Sequence, residues 1–323
     1  MMPYPPLGTL YAAAVAREAG HNVALFDSML AGSENEIERK IIDFRPRCVV
    51  IYDDDFNYLT KMCLTRMRQA ACRMAEIAKR YGCIVVAHGS DPTDHHSIYF
   101  DAGADFILVG EAEQTLQELL DEIENNFHGS AEKIPGLVFR NQDGTVVSGP
   151  KRQVVRELDR LPMPARDLVD IEHYRSLWYK HHGYFSLNIA TTRGCPFHCN
   201  WCAKPLYGQI YSSHSPARIA AEMLHLKTTW NPDHIWMCDD IFGLKPGWIE
   251  EFAQEIKCRN AAIPFKCLSR ADLLLRGNTV GALQSAGCRT VWMGAESGSQ
   301  QILDAMDKGT TVEQIVEATA RLR

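Results

Sequence analysis

The sequence predicts an α/β chain of two domains, a doubly wound parallel sheet followed by a partial βα barrel. Short apolar runs alternate with amphipathic helical patterns along residues 1–128 and again from residue 184 to 323, and this alternation is typical of parallel sheets. A hairpin pattern and a proline-rich stretch occupy residues 129–183, between the two runs. The length of 323 residues also favours two domains. We therefore expect domains at 1–128 and 184–323, joined by residues 129–183.

The elements of the first domain follow from hydrophobic periodicity. Apolar residues three and four apart, from Leu7 to Val15, predict a helix that ends at Gly20. Further along, the patterns predict strands at 23–26, 48–52, 84–87 and 106–109, and helices at 34–44, at 60–81 and through Leu116 to Ile123. In a sheet of this kind, ligands bind beyond the carboxyl ends of the strands.

The connecting region and the second domain have different patterns. Residues 135–147 predict a hairpin with its turn at Asp143 and Gly144, and two prolines in 161–167 predict a linker. Four strand–helix units then follow, with strands beginning near Phe185, His234, Phe265 and Val291. Parallel repeats whose polar residues follow the strand ends describe a barrel-type catalytic domain.

Composition excludes several classes of protein. A net charge of −6 gives no nucleic-acid footprint, no apolar run approaches the length of a membrane span, and the first six residues are unlike a signal peptide. Eleven cysteines, an odd number, argue against a complete disulfide framework. We therefore expect a cytoplasmic protein in a reducing compartment.

Three of the cysteines follow the strand near Phe185 with the spacing C-x3-C-x2-C: Cys195, Cys199 and Cys202. Three thiolates without a fourth can hold a cubane iron–sulfur cluster and leave one iron open to a small molecule. The alternative is a zinc knuckle with His198 or His214 as the fourth ligand. A structural zinc site is closed by four ligands, and the common paired C-x2-C signature is absent, so the pattern favours the cluster.

This loop resembles the cluster motif of the radical S-adenosylmethionine (SAM) superfamily, in which an aromatic residue commonly precedes the last cysteine, as Trp201 does here. The resemblance implies a [4Fe–4S] cluster whose open iron is chelated by SAM. It also implies one-electron cleavage of SAM to methionine and a 5′-deoxyadenosyl radical, with an electron donor such as flavodoxin or ferredoxin.

Further segments occur in the order of that family. Asp239 and Asp240 end the second strand of the barrel, where the resemblance implies contact with the SAM amino group and charge would suit it. A helix cap is the alternative for this pair. Arg270 follows the third strand and would either face the SAM carboxylate or pair with Asp272.

The fourth strand ends in G-x-E-S-G-S, which carries Glu296 and Ser297. The resemblance implies that both lie near the amino-acid or ribose part of SAM. The same serine- and glycine-rich turn is also a good helix start.

The first domain resembles the cobalamin-binding domain that precedes many radical SAM domains, in residues 5–11, 19–23, 86–91 and 102–113. The resemblance implies cobalamin contacts at Gly89, Ser90, Gly110 and Glu111, because glycines after strands let the backbone approach a ligand. Ordinary βα turns also contain glycine, so that alternative stays open.

The sequence departs from these families in three ways. The D-x-H-x-x-G motif, whose histidine supplies the lower ligand of cobalt, is absent, and the nearby His88, His95 and His96 have the character of loop histidines. The strand that usually precedes Pro5 is missing. Only four of the six strands of the resembling barrel are present, which indicates a fragment or a pared-down relative.

These resemblances imply a cobalamin-dependent radical SAM enzyme, of the class that includes methyltransferases and the anaerobic magnesium-protoporphyrin ester cyclase. It would abstract hydrogen from an unactivated carbon of a small-molecule, natural-product-like substrate, for methyl transfer or for a cyclisation or rearrangement. The rival hypothesis is a non-catalytic cofactor-binding or sensor module, or an inactive fragment.

Overall fold

The computed structural model describes residues 3–54, 56, 63–125, 131–202 and 207–323. The chain forms two compact units, the first from Pro3–Val155 with Leu161–Tyr174 and the second from Arg156–Arg160 with Arg175–Arg323. The beginning of the helix predicted at 60–81 and part of the loop after the strand at 48–52 lie outside the described residues. No helix in the described ranges is both long and apolar enough to cross a bilayer.

The first unit contains a five-stranded sheet in the order β1-β2-β3-β4-β5. Strands β1 to β3 are parallel, and β4 and β5 are antiparallel to their neighbours. The strands are β1 (Cys48–Tyr52), β2 (Ile84–His88), β3 (Phe106–Leu108), β4 (Leu137–Arg140) and β5 (Val146–Ser148). The predicted hairpin at 135–147 is therefore an antiparallel extension of the first sheet.

Helices cover both faces of this sheet, as expected for a doubly wound fold. Alternate residues of β2 point to opposite faces, so Val85 and Ala87 pack with Ile77 on one side, while Val86 packs with Leu116 on the other. The helices are α1 (Leu7–Glu18), α2 (Ile37–Phe44), α3 (Leu64–Arg80), α4 (Ser90–Asp94), α5 (His96–Asp101) and α6 (Glu113–Glu124).

The strand predicted at 23–26 is not formed, and that prediction was wrong. The segment lies alongside a cavity of about 660 Å³ that is also lined by β1. Within the described residues, β1 is hydrogen-bonded to a strand on one side only, to β2. A strand needs a hydrogen-bonded neighbour, and the segment at 23–26 is not hydrogen-bonded to the free edge of β1 or to another strand of the described sheet.

The second unit contains a parallel sheet in the order β11-β10-β9-β6, with a small antiparallel pair β7-β8. Its strands are β6 (Ser186–Ile189), β7 (Thr192–Arg193), β8 (Ser212–Ser213), β9 (His234–Met237), β10 (Phe265–Ser269) and β11 (Cys288–Met293). Its helices, together with the connecting α7, are α7 (Ile171–His182), α8 (Pro216–Thr229), α9 (Trp248–Arg259), α10 (Ala271–Leu274), α11 (Thr279–Ala286), α12 (Gln300–Ala305) and α13 (Val312–Leu322). The four predicted strand–helix units are confirmed.

Candidate functional site

The cysteine loop leaves β6 through a turn that Asp239 holds from the end of β9. The Oδ1 atom of Asp239 accepts hydrogen bonds from the backbone N–H groups of Thr191 at 2.6 Å and Thr192 at 2.8 Å, and its Oδ2 atom accepts one from the Thr191 hydroxyl at 2.7 Å. Asp239 is only 2% exposed. Its carboxylate therefore fixes the path of the chain just before the cysteines.

Burial raises the pKa of Asp239 to about 7, and the hydrogen bonds from Thr191 and Thr192 oppose that rise. A carboxylate removed from water loses solvation that three donors do not fully replace. The side chain that the sequence assigned to the SAM amino group is thus engaged within the protein. Its neighbour Asp240 is exposed.

Gly194 makes the close approach of the loop possible. Its φ is +78°, and a Cβ atom there would lie 1.9 Å from the carbonyl oxygen of Ile210. The next residue, Cys195, is buried against Ile241 and Leu273. Glycine is needed at this position because both the backbone conformation and the space exclude a side chain.

The three thiols differ in environment. Cys195 is buried, Cys199 is partly buried and Cys202 is exposed, and none of them is in a disulfide. Over the described part of the chain, no three His, Cys, Asp or Glu side chains are gathered closely enough to hold a metal ion. The donor set of three cysteine thiols suits an iron–sulfur cluster.

Within the part of the chain that the structure describes, neither histidine of the zinc alternative is gathered with the cysteines into a metal site. His198 is exposed. His214 is buried, and its Nδ1 lies 2.9 Å from the Oδ1 atom of Asp159, which also accepts a hydrogen bond from the backbone N–H of Ser215. His214 thus serves the packing of the β8–α8 junction.

The far side of the loop is tied to the end of α12. The side-chain amide of Asn200 donates to the carbonyl oxygen of Ala305 at 2.7 Å, and its backbone N–H donates to that of Met306 at 3.1 Å. Arg270 stacks on the loop from β10, with its guanidinium carbon 3.6 Å from the centre of the Phe197 ring. Its Nε atom donates to Asp272 at 2.9 Å, so the predicted pairing with Asp272 is present.

A second cation lies beside the loop. Lys308 is 6% exposed, donates to the Oε1 atom of Glu296 at 2.9 Å and has its Nζ atom 6.0 Å from the centre of the Trp201 ring. Glu296 has a φ of +60°, which is unusual for a residue with a side chain. The hydroxyl oxygen of Ser297 accepts a hydrogen bond from the Ser299 N–H at 3.1 Å, as expected of a helix start.

The structure thus brings Asp239, Arg270 and Glu296 around the cysteine loop, and leaves Asp240 on the surface. Sequence reasoning did not select Lys308 or Asn200 as site residues. No local signal marks Lys308, because its neighbours Asp304 and Asp307 are also charged and its burial is seen only in the fold.

The other predicted contacts follow β2 and β3 of the first unit. Gly89 has a φ of +140° and a Cβ there would lie 2.8 Å from the Cβ of Asp53, whereas a Cβ on Gly110 would meet nothing within 4 Å. The backbone at Gly110 therefore borders open space that a ligand can approach. The carboxylate of Glu111 is buried and accepts a hydrogen bond from the Val155 N–H at 2.6 Å.

His88 links these two turns. Its Nε2 atom lies 3.0 Å from the carbonyl oxygen of Gly110, and its ring stacks on Tyr52 with 4.0 Å between the ring centres. The side chain is 2% exposed. Through these contacts, His88 positions the two turns.

The family comparisons match two separate parts of the chain. The B12 binding domain matches residues 2–120 and the Radical SAM superfamily matches residues 189–323. An uncharacterized methyltransferase of Pyrococcus horikoshii is 28% identical over 97% of this chain and 65% of its own length. The anaerobic magnesium-protoporphyrin IX monomethyl ester cyclase of Synechocystis is 26% identical over 99% of this chain and 62% of its own length. The chain thus spans less than two thirds of these relatives.

Solved structures share the fold. The cobalamin-dependent SAM radical enzyme OxsB, with aqua-cobalamin bound, superposes with a TM-score of 0.80 at 21% identity, over 99% of this chain and 45% of that one. The radical SAM methyltransferase TsrM of Kitasatospora setae, with cobalamin and a [4Fe–4S] cluster bound, superposes with a TM-score of 0.76 at 19% identity, over 99% of this chain and 61% of that one. The radical SAM domain implies the cluster and SAM, and the B12 binding domain implies cobalamin. The chain thus carries a match to the B12 binding domain followed by a match to the Radical SAM superfamily, in the order predicted from the sequence.

Proposed function

We propose that this protein is a cobalamin-dependent radical SAM enzyme that acts on an unactivated carbon of a small-molecule substrate. The observation that carries the proposal is the C-x3-C-x2-C loop at the carboxyl end of β6, fixed in front by Asp239 and behind by Asn200. Chemistry in parallel βα folds is placed at this end of the strands.

Cys195, Cys199 and Cys202 would hold the [4Fe–4S] cluster. When bound, the cluster supplies an electron and an open iron for the cleavage of SAM to the 5′-deoxyadenosyl radical. The buried cations Arg270 and Lys308 flank the loop, where either would attract the SAM carboxylate. The remaining candidate SAM contacts are Asp239, Asp240, Glu296 and Ser297. Of these, Asp239 would act by holding the loop, because both of its oxygens accept hydrogen bonds.

Cobalamin would bind at the turns after β2 and β3, which contain Gly89, Ser90, Gly110 and Glu111. The open space beside Gly110 leaves the backbone there accessible to a ligand. The methyltransferase and cyclase names of the relatives favour methyl transfer, or a cyclisation or rearrangement, as the outcome. An electron donor such as flavodoxin or ferredoxin and a cytoplasmic location complete the proposal.

The cluster is tested by replacing Cys199 with alanine. Two thiolates do not hold a stable cubane, so we expect the anaerobically reconstituted wild type to carry about four irons and four sulfides and C199A to carry almost none. The control is C258A, which removes an exposed cysteine of α9 and should leave iron content unchanged. Stoichiometric zinc without iron uptake in the wild type would contradict the proposal.

Cobalamin binding is tested by absorption and electron paramagnetic resonance. Hydroxocobalamin should bind with no histidine on the lower face of cobalt, because His88 is buried between Tyr52 and the Gly110 carbonyl. Replacing His88, His95 or His96 one at a time should therefore leave the base-off spectrum unchanged. A cobalt–nitrogen signal that disappears in one variant would identify that histidine as a ligand and overturn this expectation.

The rival sensor hypothesis predicts cofactor binding without turnover. Substrate-dependent 5′-deoxyadenosine from the reduced, loaded protein supports the enzyme. Cluster and cobalamin binding with no 5′-deoxyadenosine would favour the sensor.

A further inference from the structure

The two faces of the second sheet differ in the kind of side chain that they carry. Residues Ile235, Met237 and Phe265 are fully buried, and the Phe265 ring packs edge-on against Phe252 of α9 with 6.1 Å between centres. Side chains alternate along a strand, so the residues between these point to the other, inner face. On the four strands these are Ser186, Asn188, His234, Trp236, Lys266, Leu268, Thr290 and Trp292.

Strand register groups two tryptophans and a lysine on this inner face. Lys266 lies directly beside Trp236, and Leu268 lies beside Trp292. The Nζ atom of Lys266 is 5.4 Å from the centre of the Trp236 ring and 4.7 Å from that of Trp292. The ammonium is therefore held between two indole rings on neighbouring strands.

Charge on the inner face has one sign. Lys266 carries the only formal charge among those eight strand residues at neutral pH, because burial lowers the pKa of His234 to about 4. Burial also lowers the pKa of Lys266, which shows that its ammonium is incompletely solvated. An anion placed beside it would restore part of the lost interaction.

One of the two rings is available for contact. Trp236 is 6% exposed and supports the ammonium from a buried position, whereas Trp292 is 51% exposed. Exposed tryptophan beside a cation presents a flat π surface and a positive charge together. Lys266 lies three residues before the carboxyl end of β10, and Trp292 lies one residue before that of β11. The carboxyl ends of the strands are the end of the sheet that bears the cysteine loop.

We propose that the inner face at Trp236, Lys266 and Trp292 binds the substrate, and that the substrate is a flat conjugated ring system bearing a carboxylate. The ring stacks on Trp292, and the carboxylate pairs with the ammonium of Lys266. This inference rests on the proposed function for the identity of the ligand as substrate, but the binding itself needs neither cluster nor SAM.

The test uses 2-naphthoate as the probe, with its neutral analogue 2-naphthalenemethanol and the non-aromatic cyclohexanecarboxylate as comparison ligands. Calorimetry measures their dissociation constants for the full chain, with the cluster reconstituted. We expect K266M to weaken the binding of 2-naphthoate about tenfold or more and to change that of 2-naphthalenemethanol less than about twofold, because only 2-naphthoate carries a charge. W292A should weaken both aromatic ligands. K266R should restore most of the 2-naphthoate affinity.

The matched control is K257M, which removes an exposed lysine of α9 and should bind all three ligands as the wild type does. Equal loss of 2-naphthoate affinity in K257M and K266M, or cyclohexanecarboxylate binding as tightly as 2-naphthoate, would overturn the proposal. C199A, which is expected to lack the cluster, separates this inference from the proposed function. Probe binding by C199A supports this inference independently of the cluster, and a wild type that holds a cluster but ignores the probe contradicts the inference alone.

Discussion

Asp239→Ala should lower the free energy of unfolding by roughly 3 kcal/mol or more, because three buried donors lose their acceptor and each costs about 1–3 kcal/mol. Two of these donors are the backbone N–H groups of Thr191 and Thr192 and the third is the Thr191 hydroxyl. The loss would be a large part of the stability of a typical domain. Denaturant unfolding of the apoprotein measures it, and iron content after reconstitution should fall in parallel because the turn leads into Cys195.

Asp239→Asn is the matched variant. Its amide oxygen can accept both backbone hydrogen bonds, and its amide nitrogen can donate to the Thr191 hydroxyl oxygen once that hydroxyl turns its proton elsewhere. We expect D239N to unfold near the wild-type denaturant midpoint at about pH 4, where the folded wild type carries a neutral side chain at this position. If D239A were as stable as D239N, the carboxylate would not be holding the turn.

The same pair of proteins has a pH signature. The pKa of Asp239 is raised by burial to about 7, above the value of about 3.9 for an unfolded aspartate. Between about pH 4 and pH 7 the folded state therefore holds a proton that the unfolded state has lost, and the contribution of Asp239 to stability falls as the pH rises through that window. Relative to D239N, the wild type should be less stable at pH 7 than at pH 4.

Gly194→Ala should prevent the cysteine loop from closing. The new Cβ would lie 1.9 Å from the carbonyl oxygen of Ile210, and a backbone atom cannot move aside as the end of a flexible side chain can. We expect a loss of roughly 2–4 kcal/mol in unfolding free energy and little iron uptake on reconstitution.

Gly208→Ala provides the control for backbone conformation. Gly208 also has a positive φ, +62°, but a Cβ there would meet nothing within 4 Å. The free energy of unfolding of this variant should fall only by the cost of the left-handed conformation, about 1 kcal/mol, and the variant should keep its cluster. Equal iron content in the two variants would show that the close approach of Gly194 to Ile210 is dispensable.

The sequence was sufficient for features with a local signal. Alternating apolar runs gave the parallel strands β1 to β3 and the four βα units, and the spacing of Cys195, Cys199 and Cys202 marked the loop after β6. The strand predicted at 23–26 failed because propensity describes the segment alone, whereas strand formation depends on a neighbour that sequence periodicity does not locate.

Side-chain partners were the harder part of the site. The motif register placed Asp239 near the cysteines, but only the fold shows that its two oxygens are used by Thr191 and Thr192. The juxtaposition of Trp236, Lys266 and Trp292 depends on the register between three strands and on a shift between Phe265 and Lys266. Neither the register nor the shift has a local sequence signal.

The unequal burial of the three thiols has a consequence for the entropy of cluster assembly. Cys195 is packed against Ile241 and Leu273 next to the turn held by Asp239, so its ordering entropy is already lost in the apoprotein. Cys199 is partly buried and Cys202 is exposed, so their side chains keep more conformational freedom than that of Cys195. The entropic cost of binding a cluster is therefore concentrated in the second half of the loop, and the buried thiol is the ligand that is already ordered.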